Sequence, residues 1–235
     1  MNIRNHNSTA QQAQLSLFSE AKKESPVLDT VHQYFFIISP PEAIKSKVKL
    51  LKHKLHREIG LSDYNLNSSE IISLMSFHTM RPVNERFMEA VQQLFSNNHP
   101  FQIHVSGFDH FEHGASSNTI YAKLENSEQI VKLYQELHVL LGLRVRSFVP
   151  HLTIGKAVPR AHFKKSFSMI KNHSFEEKFT CNQVTILERR LQNGVVGKYQ
   201  VLKEIGFESP NFPHPQPFSQ GEKGGSASLS LWERD

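Results

Sequence analysis

Hydrophobic and polar positions alternate along the chain with two different periods, and these predict strands and helices in turn. Strands are predicted where apolar residues recur at every second position or form a short run, and helices where they recur three and four positions apart. The predicted strands cover residues 33–39, 71–77, 101–108, 119–124 and 150–154. The predicted helices cover residues 42–59, 83–94, 127–141 and 160–170, each after a proline or a capping residue. Two polar stretches, residues 61–70 and 109–118, are predicted loops.

The chain after residue 174 predicts a closing β-hairpin. Its strands would cover residues 175–189 and 195–205, with the turn at Asn193-Gly194. Asn-Gly is a strong signal for a two-residue hairpin turn, because both residues tolerate positive φ. The complete order is then β-α-β-α-β-β-α-β-α-β-β, which is typical of an α+β fold in which each half repeats a strand–helix–strand unit.

The first helix has a sharp predicted start and a row of positive charge. Ser39-Pro40-Pro41-Glu42 predicts a capping box with proline in the first turn, and Gly60 predicts the end of the helix. One face is apolar, and the other carries basic residues: Lys45, Lys47, Lys49, Lys52, Lys54 and Arg57. Such a row predicts a solvated helix face, with an electrostatic footprint for RNA as the alternative.

Both ends of the chain differ in composition from the middle. Residues 1–31 predict a flexible N-terminal arm and residues 208–235, rich in Pro, Gly and Ser, a disordered C-terminal tail, which leaves 32–207 as the folded domain. Within the arm, Gln14-Leu15-Ser16-Leu17-Phe18 places three large apolar residues in a polar context. This pentapeptide resembles the peptide by which bacterial proteins bind the replicative sliding clamp. Alternatively, Leu15, Leu17 and Phe18 cover an apolar patch of their own domain.

Composition and charge narrow the class of protein. The 235 residues are 38% hydrophobic and 21% charged, which is the range of a soluble globular protein. A net charge of +5 favours polyanionic partners, such as nucleic acid or phosphorylated ligands, although a slightly basic enzyme has the same balance. A single cysteine, Cys181, excludes an intramolecular disulfide and a cysteine-based zinc site. No apolar run approaches a membrane span, and no signal peptide is visible, so we expect a cytoplasmic protein.

The strand at residues 150–154 carries the candidate chemistry. With a period of two, His151 and Thr153 lie on one face, opposite Leu152 and Ile154. An imidazole can give or take a proton near neutral pH, and a hydroxyl about 7 Å along the strand can donate to an anionic oxygen. The pair therefore suits phosphoryl chemistry. A histidine beside a hydroxyl is also common on ordinary protein surfaces.

Several segments together resemble one known superfamily. They are the first strand with its Pro40-Pro41-Glu42, Gly107-Phe108, Thr119-Ile120-Tyr121 and the strand Pro150-His151-Leu152-Thr153-Ile154. In this combination the chain resembles the 2H phosphoesterase superfamily, in the branch of 2′-5′ RNA ligases and RNA cyclic phosphodiesterases, over residues 33–205. The resemblance implies an α+β fold with two pseudo-symmetric lobes of antiparallel sheet, helices on the outside and a cleft between the lobes.

The same resemblance implies a reaction. Each lobe of such a protein contributes one His-x-Thr/Ser-apolar motif. One histidine activates water or a 5′-hydroxyl, the other protonates the leaving oxygen, and the two hydroxyls hold the phosphate, with neither metal nor cofactor. The implied substrates are 2′,3′-cyclic phosphates or 2′-5′ linkages at RNA ends or in nucleotides. We expect the protein to act as a monomer.

The first of the two motifs departs from the family pattern. It falls on Ile71-Ile72-Ser73-Leu74, so Ser73 stands where the hydroxyl is expected and Ile71 where the histidine is expected. Isoleucine cannot transfer a proton. His78 is the nearest substitute, but in a regular strand it points away from the face that carries Ser73. A β-bulge between residues 74 and 77 would bring it back.

Three functions remain open from the sequence. The first is a working RNA-end phosphoesterase or ligase that uses His151 and a second group. The second is a degenerate relative that uses Ser73, His151 and Thr153 to bind a phosphate or an RNA end without turnover. The third is a structural or partner-binding protein recruited through residues 14–18, for example to the sliding clamp.

Overall fold

Nine strands and five helices make up the described part of the chain. The computed structural model describes residues 30–208, so residues 1–29 of the predicted arm, with the pentapeptide, and all but one residue of the predicted tail lie outside the described residues. The last two residues predicted for the arm, Thr30 and Val31, instead begin the first strand. The strands are β1 (Thr30–Ile38), β2 (Ile72–Thr79), β3 (Phe101–His113), β4 (Ser117–Glu125), β5 (His151–Pro159), β6 (Glu176–Cys181), β7 (Gln183–Gln192), β8 (Val195–Val196) and β9 (Gln200–Gly206). The helices are α1 (Glu42–Ile59), α2 (Asp63–Leu66), α3 (Glu85–Ser96), α4 (Glu128–Leu140) and α5 (Arg160–Lys171).

All nine strands belong to one open antiparallel sheet. Its order is β6-β3-β4-β5-β2-β1-β7-β8, and β9 also pairs with β7. One lobe holds β6, β3, β4 and β5, and the other holds β2, β1 and β7 to β9. The lobes meet where β2 runs antiparallel to β5. The predicted α+β fold with two lobes is confirmed.

Helix α1 shows how the apolar pattern builds the core. Ile44, Val48 and Leu55 recur at helical spacing, and all three are buried. Gly60 ends the helix in the left-handed conformation at φ 64°, and its N–H donates to the carbonyl of His56. The predicted capping box does not form. The helix starts after Pro41, and no side-chain hydrogen bond caps it among the described residues.

Three predicted elements have different bounds in the structure. Residues 109–118 are not a loop, because β3 continues to His113 and β4 begins at Ser117. Residues 175–189 are not one strand. Asn182 separates β6, which pairs with β3, from β7, which pairs with β1. Since β3 and β1 lie in different lobes, the chain passes from one lobe to the other at Asn182. The predicted loop 61–70 contains the single-turn helix α2.

The closing hairpin turns where it was predicted to turn. Gln192 pairs with Val195 across Asn193 and Gly194, whose φ values are 51° and 77°. Its returning strand is interrupted, however. Strand β8 has two residues, residues 197–199 leave the ladder, and β9 resumes the pairing with β7 at Gln200.

Among residues 30–208, no helix combines the length and the apolar character that crossing a membrane requires.

Candidate active site

The junction of the two lobes is centred on one residue pair. Ile72 of β2 lies opposite Leu152 of β5 in an antiparallel ladder. The neighbouring positions of such a ladder follow directly: Ser73 lies beside His151, and Ile71 lies beside Thr153. A local two-fold axis through the central pair therefore relates the two motifs. All four flanking side chains lie on the same face of the sheet, because Ile72 and Leu152 are buried on the other.

His151 sits in a half-buried aromatic setting. Its ring centroid lies 5.0 Å from that of Phe111 and 5.1 Å from that of Tyr121. Nδ1 lies 2.8 Å from the carbonyl oxygen of Val149. Because a carbonyl only accepts hydrogen bonds, Nδ1 carries the proton, and Nε2 of the neutral ring is free to accept one.

The pKa of His151 lies below its usual value of 6.5. The main cause is desolvation, since burial disfavours the charged imidazolium, and the positive charge of Lys156 adds to the shift. The hydrogen bond to Val149 acts in the opposite direction. At neutral pH the ring is therefore uncharged and suited to act as a base.

A cavity of about 470 Å³ opens beside this junction. Its wall contains both candidate hydroxyls, two cations and several aromatic and amide groups: Phe35, Asp63, Tyr64, Asn65, Asn67, Ser68, Ser69, Ile71, Ser73, Thr153, Lys156, Leu187, Arg189 and Tyr199. The volume is within the range of sites for small organic ligands. No histidine is among the described residues that line it, and Ile71 lies on its wall.

Strand β2 contains a bulge that changes the faces predicted for its later residues. Met75 pairs with Phe36 and Ser73 with Ile37, so Leu74 is an extra residue in β2. Ser76 and His78 consequently point to the same face as Ser73, as expected for the bulged strand that was the alternative, and not to the opposite face as in a regular strand. His78 is exposed and lies five residues beyond Ser73, or about 16 Å along the strand. The bulge turns His78 to the face of the site but leaves it far from the junction.

Two bulges in β5 bring Lys156 to the site. A regular strand would put a residue three positions after Thr153 on the opposite, buried face. In the structure Tyr121 pairs with Thr153 and Ile120 with Gly155, so Ile154 is extra; the register shifts again before Val158. The first shift moves Lys156 onto the face of Thr153, and both line the cavity. The alternation of the sequence carried no signal for this, because a bulge cannot be read from the apolar pattern.

The cavity extends over β1 and β7 to a second cation. The guanidinium carbon of Arg189 lies 4.4 Å from the centre of the Tyr199 ring, and Nε of Arg189 donates to Oε1 of Gln33 at 2.8 Å. The ring centroid of Phe35 lies 5.7 Å from that of Tyr199. A flat guanidinium against aromatic rings offers planar groups a stacking surface and anions a charge. None of these residues belongs to a motif that is visible in the sequence.

Lys52 was predicted on the solvated face of α1, and this prediction is wrong. Its side chain is 1% exposed. Nζ donates to the carbonyl of Ser68 at 2.6 Å, to Oγ of Ser68 at 2.9 Å and to Oε1 of Glu70 at 2.9 Å. Ser68 lines the cavity, so the buried ammonium group fixes the segment that precedes β2.

Replacing Lys52 by methionine is expected to lower the free energy of unfolding by about 3 kcal/mol, because it leaves the Glu70 carboxylate, with a side chain only 14% exposed, without its cation. Urea denaturation of the wild type and the variant measures the difference. Lys49→Met makes the same chemical change at an exposed position of the same helix and is the matched control. Equal midpoints for the two variants would contradict a stabilising role of the buried pair.

Among residues 30–208, no group of three or more His, Cys, Asp or Glu side chains is arranged to hold a metal ion.

Two comparisons of the sequence indicate the same kind of protein. A family model described as the 2′-5′ RNA ligase superfamily matches residues 72–193, just over half of the chain. The match contains the second motif and all of the first motif except Ile71. A protein of Geobacillus kaustophilus named "Putative phosphoesterase" is 25% identical over 179 residues, which cover 75% of this chain and 99% of that protein.

Comparisons of the structure agree in fold. LigT of E. coli, in a crystal structure with 3′-AMP, matches with a TM-score of 0.52 at 14% identity and covers 76% of this chain and 99% of its own. A protein of Thermus thermophilus matches with a TM-score of 0.53 at 15% identity over the same shares of the two chains. At this level of identity the likeness concerns the architecture of the sheet and helices alone.

Proposed function

This chain belongs to the 2′-5′ RNA ligase superfamily, and from that premise we propose that it is a phosphoesterase that hydrolyses 2′,3′-cyclic phosphates at RNA ends or in nucleotides, without a metal ion. The observation that supports the proposal most is the register of the lobe junction. The pair Ile72–Leu152 brings Ser73 beside His151 and sets both motifs on one face of the sheet. The LigT structure with 3′-AMP is consistent with a nucleotide phosphate as ligand.

In the proposed reaction His151 is the general base. Its neutral Nε2 takes a proton from a water molecule, and the water oxygen forms a bond to phosphorus. The phosphorus–oxygen bond to one ribose oxygen breaks, and the electron pair stays on that oxygen. With Ile71 in place of a histidine in the first motif, the leaving oxygen takes its proton from solvent. The product is a ribose with one free hydroxyl and one phosphomonoester.

The hydroxyls of Ser73 and Thr153 and the ammonium group of Lys156 are proposed to hold the phosphate. The cavity that they share is open to solvent, and the side chain of Lys156 is exposed. Donors fixed before the reaction stabilise the charge that develops on the phosphate oxygens. Since the departing oxygen lacks a histidine partner, we expect a slow enzyme, with a turnover number below about 1 s⁻¹.

The second candidate function is binding of a phosphate or RNA end without turnover. Ile71 is the observation that favours it, because this residue lies on the cavity wall where a proton donor would be needed. Ligation would use the same groups, with a 5′-hydroxyl in place of water as the nucleophile that attacks phosphorus. Recruitment to a sliding clamp through Gln14, Leu15, Leu17 and Phe18 remains a separate proposal, since these residues lie outside the described part of the chain.

Hydrolysis of adenosine 2′,3′-cyclic phosphate and of an RNA oligonucleotide with a 2′,3′-cyclic phosphate end tests the proposal. Chromatography of the products is expected to show slow formation of a single monophosphate, at the same rate with and without a chelator. Loss of all activity with the chelator would overturn the metal-free mechanism. Binding of 3′-AMP with no turnover of either substrate would favour the second candidate instead.

A further inference from the structure

We propose that Asn65 is a positioning residue that holds Lys156 over the cavity; this rests on the proposed function, in which Lys156 binds the phosphate. Asn65 lies in α2 and is buried, at 6% exposure. Its carboxamide forms two hydrogen bonds with the backbone of one residue. The N–H of Lys156 donates to Oδ1 at 2.6 Å, and Nδ2 donates to the carbonyl of Lys156 at 2.8 Å.

The bulge in β5 explains why Lys156 needs this support. Between the pairs Ile120–Gly155 and Asn118–Val158, two residues of β5, Lys156 and Ala157, stand opposite the single Thr119. A bulge of this kind leaves the backbone groups of its extra residue without partners in the strand ladder. Ala157 also has φ 54°, in the left-handed region that residues with a Cβ rarely adopt. Without outside partners this backbone would have little to hold it in place.

The carboxamide of Asn65 supplies the hydrogen-bond partners that the bulge removes from the strand ladder. It carries one acceptor and one donor group in the arrangement of a peptide bond, so it can satisfy an N–H and a C=O of the same residue. Aspartate lacks the donor, and alanine lacks both. Through its second hydrogen, Nδ2 of Asn65 also donates to Oγ of Ser62 at 3.0 Å. Oγ of Ser68 donates to the backbone carbonyl of Asn65 at 2.7 Å. Asn65 is therefore itself fixed in one orientation.

These two hydrogen bonds also connect β5 to the segment that leads into β2. Asn65 lies in α2, which packs against β5, and the chain continues from Asn65 into β2 and Ser73. Within the described ladder, Ile72 and Leu152 are the one residue pair that joins β2 to β5. The carboxamide of Asn65 thus provides a second link, which fixes the backbone of Lys156 relative to Ser73. The segment that follows Asn65 is held in turn by Lys52 through Ser68.

A double-mutant cycle tests whether Asn65 acts through Lys156. Asn65→Ala is expected to raise KM for adenosine 2′,3′-cyclic phosphate about tenfold, with kcat changed less than about threefold, because a phosphate contact is lost while the base is kept. In the Lys156→Gln background the same change is expected to have no further effect on KM. Asn65→Asp, which keeps the shape of the side chain, is used if Asn65→Ala does not fold. Asn172→Ala, at an exposed residue just after α5 that does not line the cavity, is the control.

Equal increases in KM in both backgrounds, or no increase in either, would overturn the proposal, since a merely structural role does not depend on the Lys156 ammonium group. If the wild type turns over no cyclic phosphate, the proposed function fails, and calorimetric titration with inorganic phosphate then decides the role of Asn65. Phosphate affinity reduced about tenfold in Asn65→Ala, but not in Asn172→Ala, supports the positioning role. Unchanged phosphate affinity overturns it.

Discussion

Replacing His151 by glutamine is expected to lower kcat/KM for adenosine 2′,3′-cyclic phosphate by a factor of about 10²–10⁴, the usual contribution of a general base. The imidazole is a neutral proton acceptor that the lobe junction brings beside Ser73, a candidate phosphate hydroxyl. Glutamine fills similar space but cannot take up a proton at neutral pH. Initial rates for purified wild type and variant, under one set of conditions, measure the loss.

His53→Gln makes the same change at an exposed position of α1 and is the matched control. It is expected to leave kcat/KM unchanged. Thermal denaturation should show the His151 variant folded, so that lost activity is not lost structure. Activity within about threefold of the wild type in folded His151→Gln would contradict the role of His151 as the base.

The pH dependence of kcat/KM should also show that His151 is the general base. Because the pKa of His151 lies below 6.5, the neutral, active form of the base persists to lower pH than in a free histidine. The profile of kcat/KM should therefore rise with pH to a plateau, with its midpoint below pH 6.5, and without a falling limb from a second histidine. Lys156→Gln removes one cause of the lowered pKa, so it should move the midpoint upward.

Replacing Ile71 by histidine is expected to raise kcat for the same substrate by at least about tenfold, and by up to about 10⁴-fold if the new imidazole acts as a full general acid. The register places residue 71 beside Thr153 and on the cavity wall, which is the position related to His151 by the local two-fold axis. The new imidazole could protonate the leaving oxygen, a step for which the wild type relies on solvent. The measurement is kcat at saturating substrate across the pH range.

The shape of the pH profile separates this gain from a general improvement in binding. A general acid must be protonated, so Ile71→His should add a falling limb at higher pH and turn the rising profile into a bell. Ile71→Gln, of similar length but without a titrating group, is the control and should show neither the gain nor the falling limb.

His78 provides the competing account of the second proton carrier. If His78→Ala abolishes activity and Ile71→His adds nothing, His78 is the second catalytic residue in spite of its distance along β2. If His78→Ala leaves the activity unchanged and Ile71→His raises kcat, the first motif lacks the general acid that a histidine would supply. A wild-type turnover number of about 1 s⁻¹ or more would contradict the weakened site whatever the variants do.

The sequence by itself determined the elements that depend on local pattern. The buried face of α1 follows from apolar residues at helical spacing, and the hairpin turn follows from Asn193-Gly194, whose positive φ values need such residues. The strand His151–Ile154 and the absence of a histidine at position 71 were equally visible. All of these are properties of neighbouring residues, which a periodic pattern records.

Only the tertiary structure decided which side chains share the cavity. Bulges in β2 and β5 reverse the alternation after Leu74 and Ile154, so that His78 and Lys156 face the site although the sequence predicts the opposite. Lys52 looked solvated because the helical pattern shows polarity, and not the buried carboxylate that meets it. Register, bulges and buried pairs depend on residues far apart in the chain, since they are set by how strands and helices pack against each other, and a local pattern carries no record of that packing.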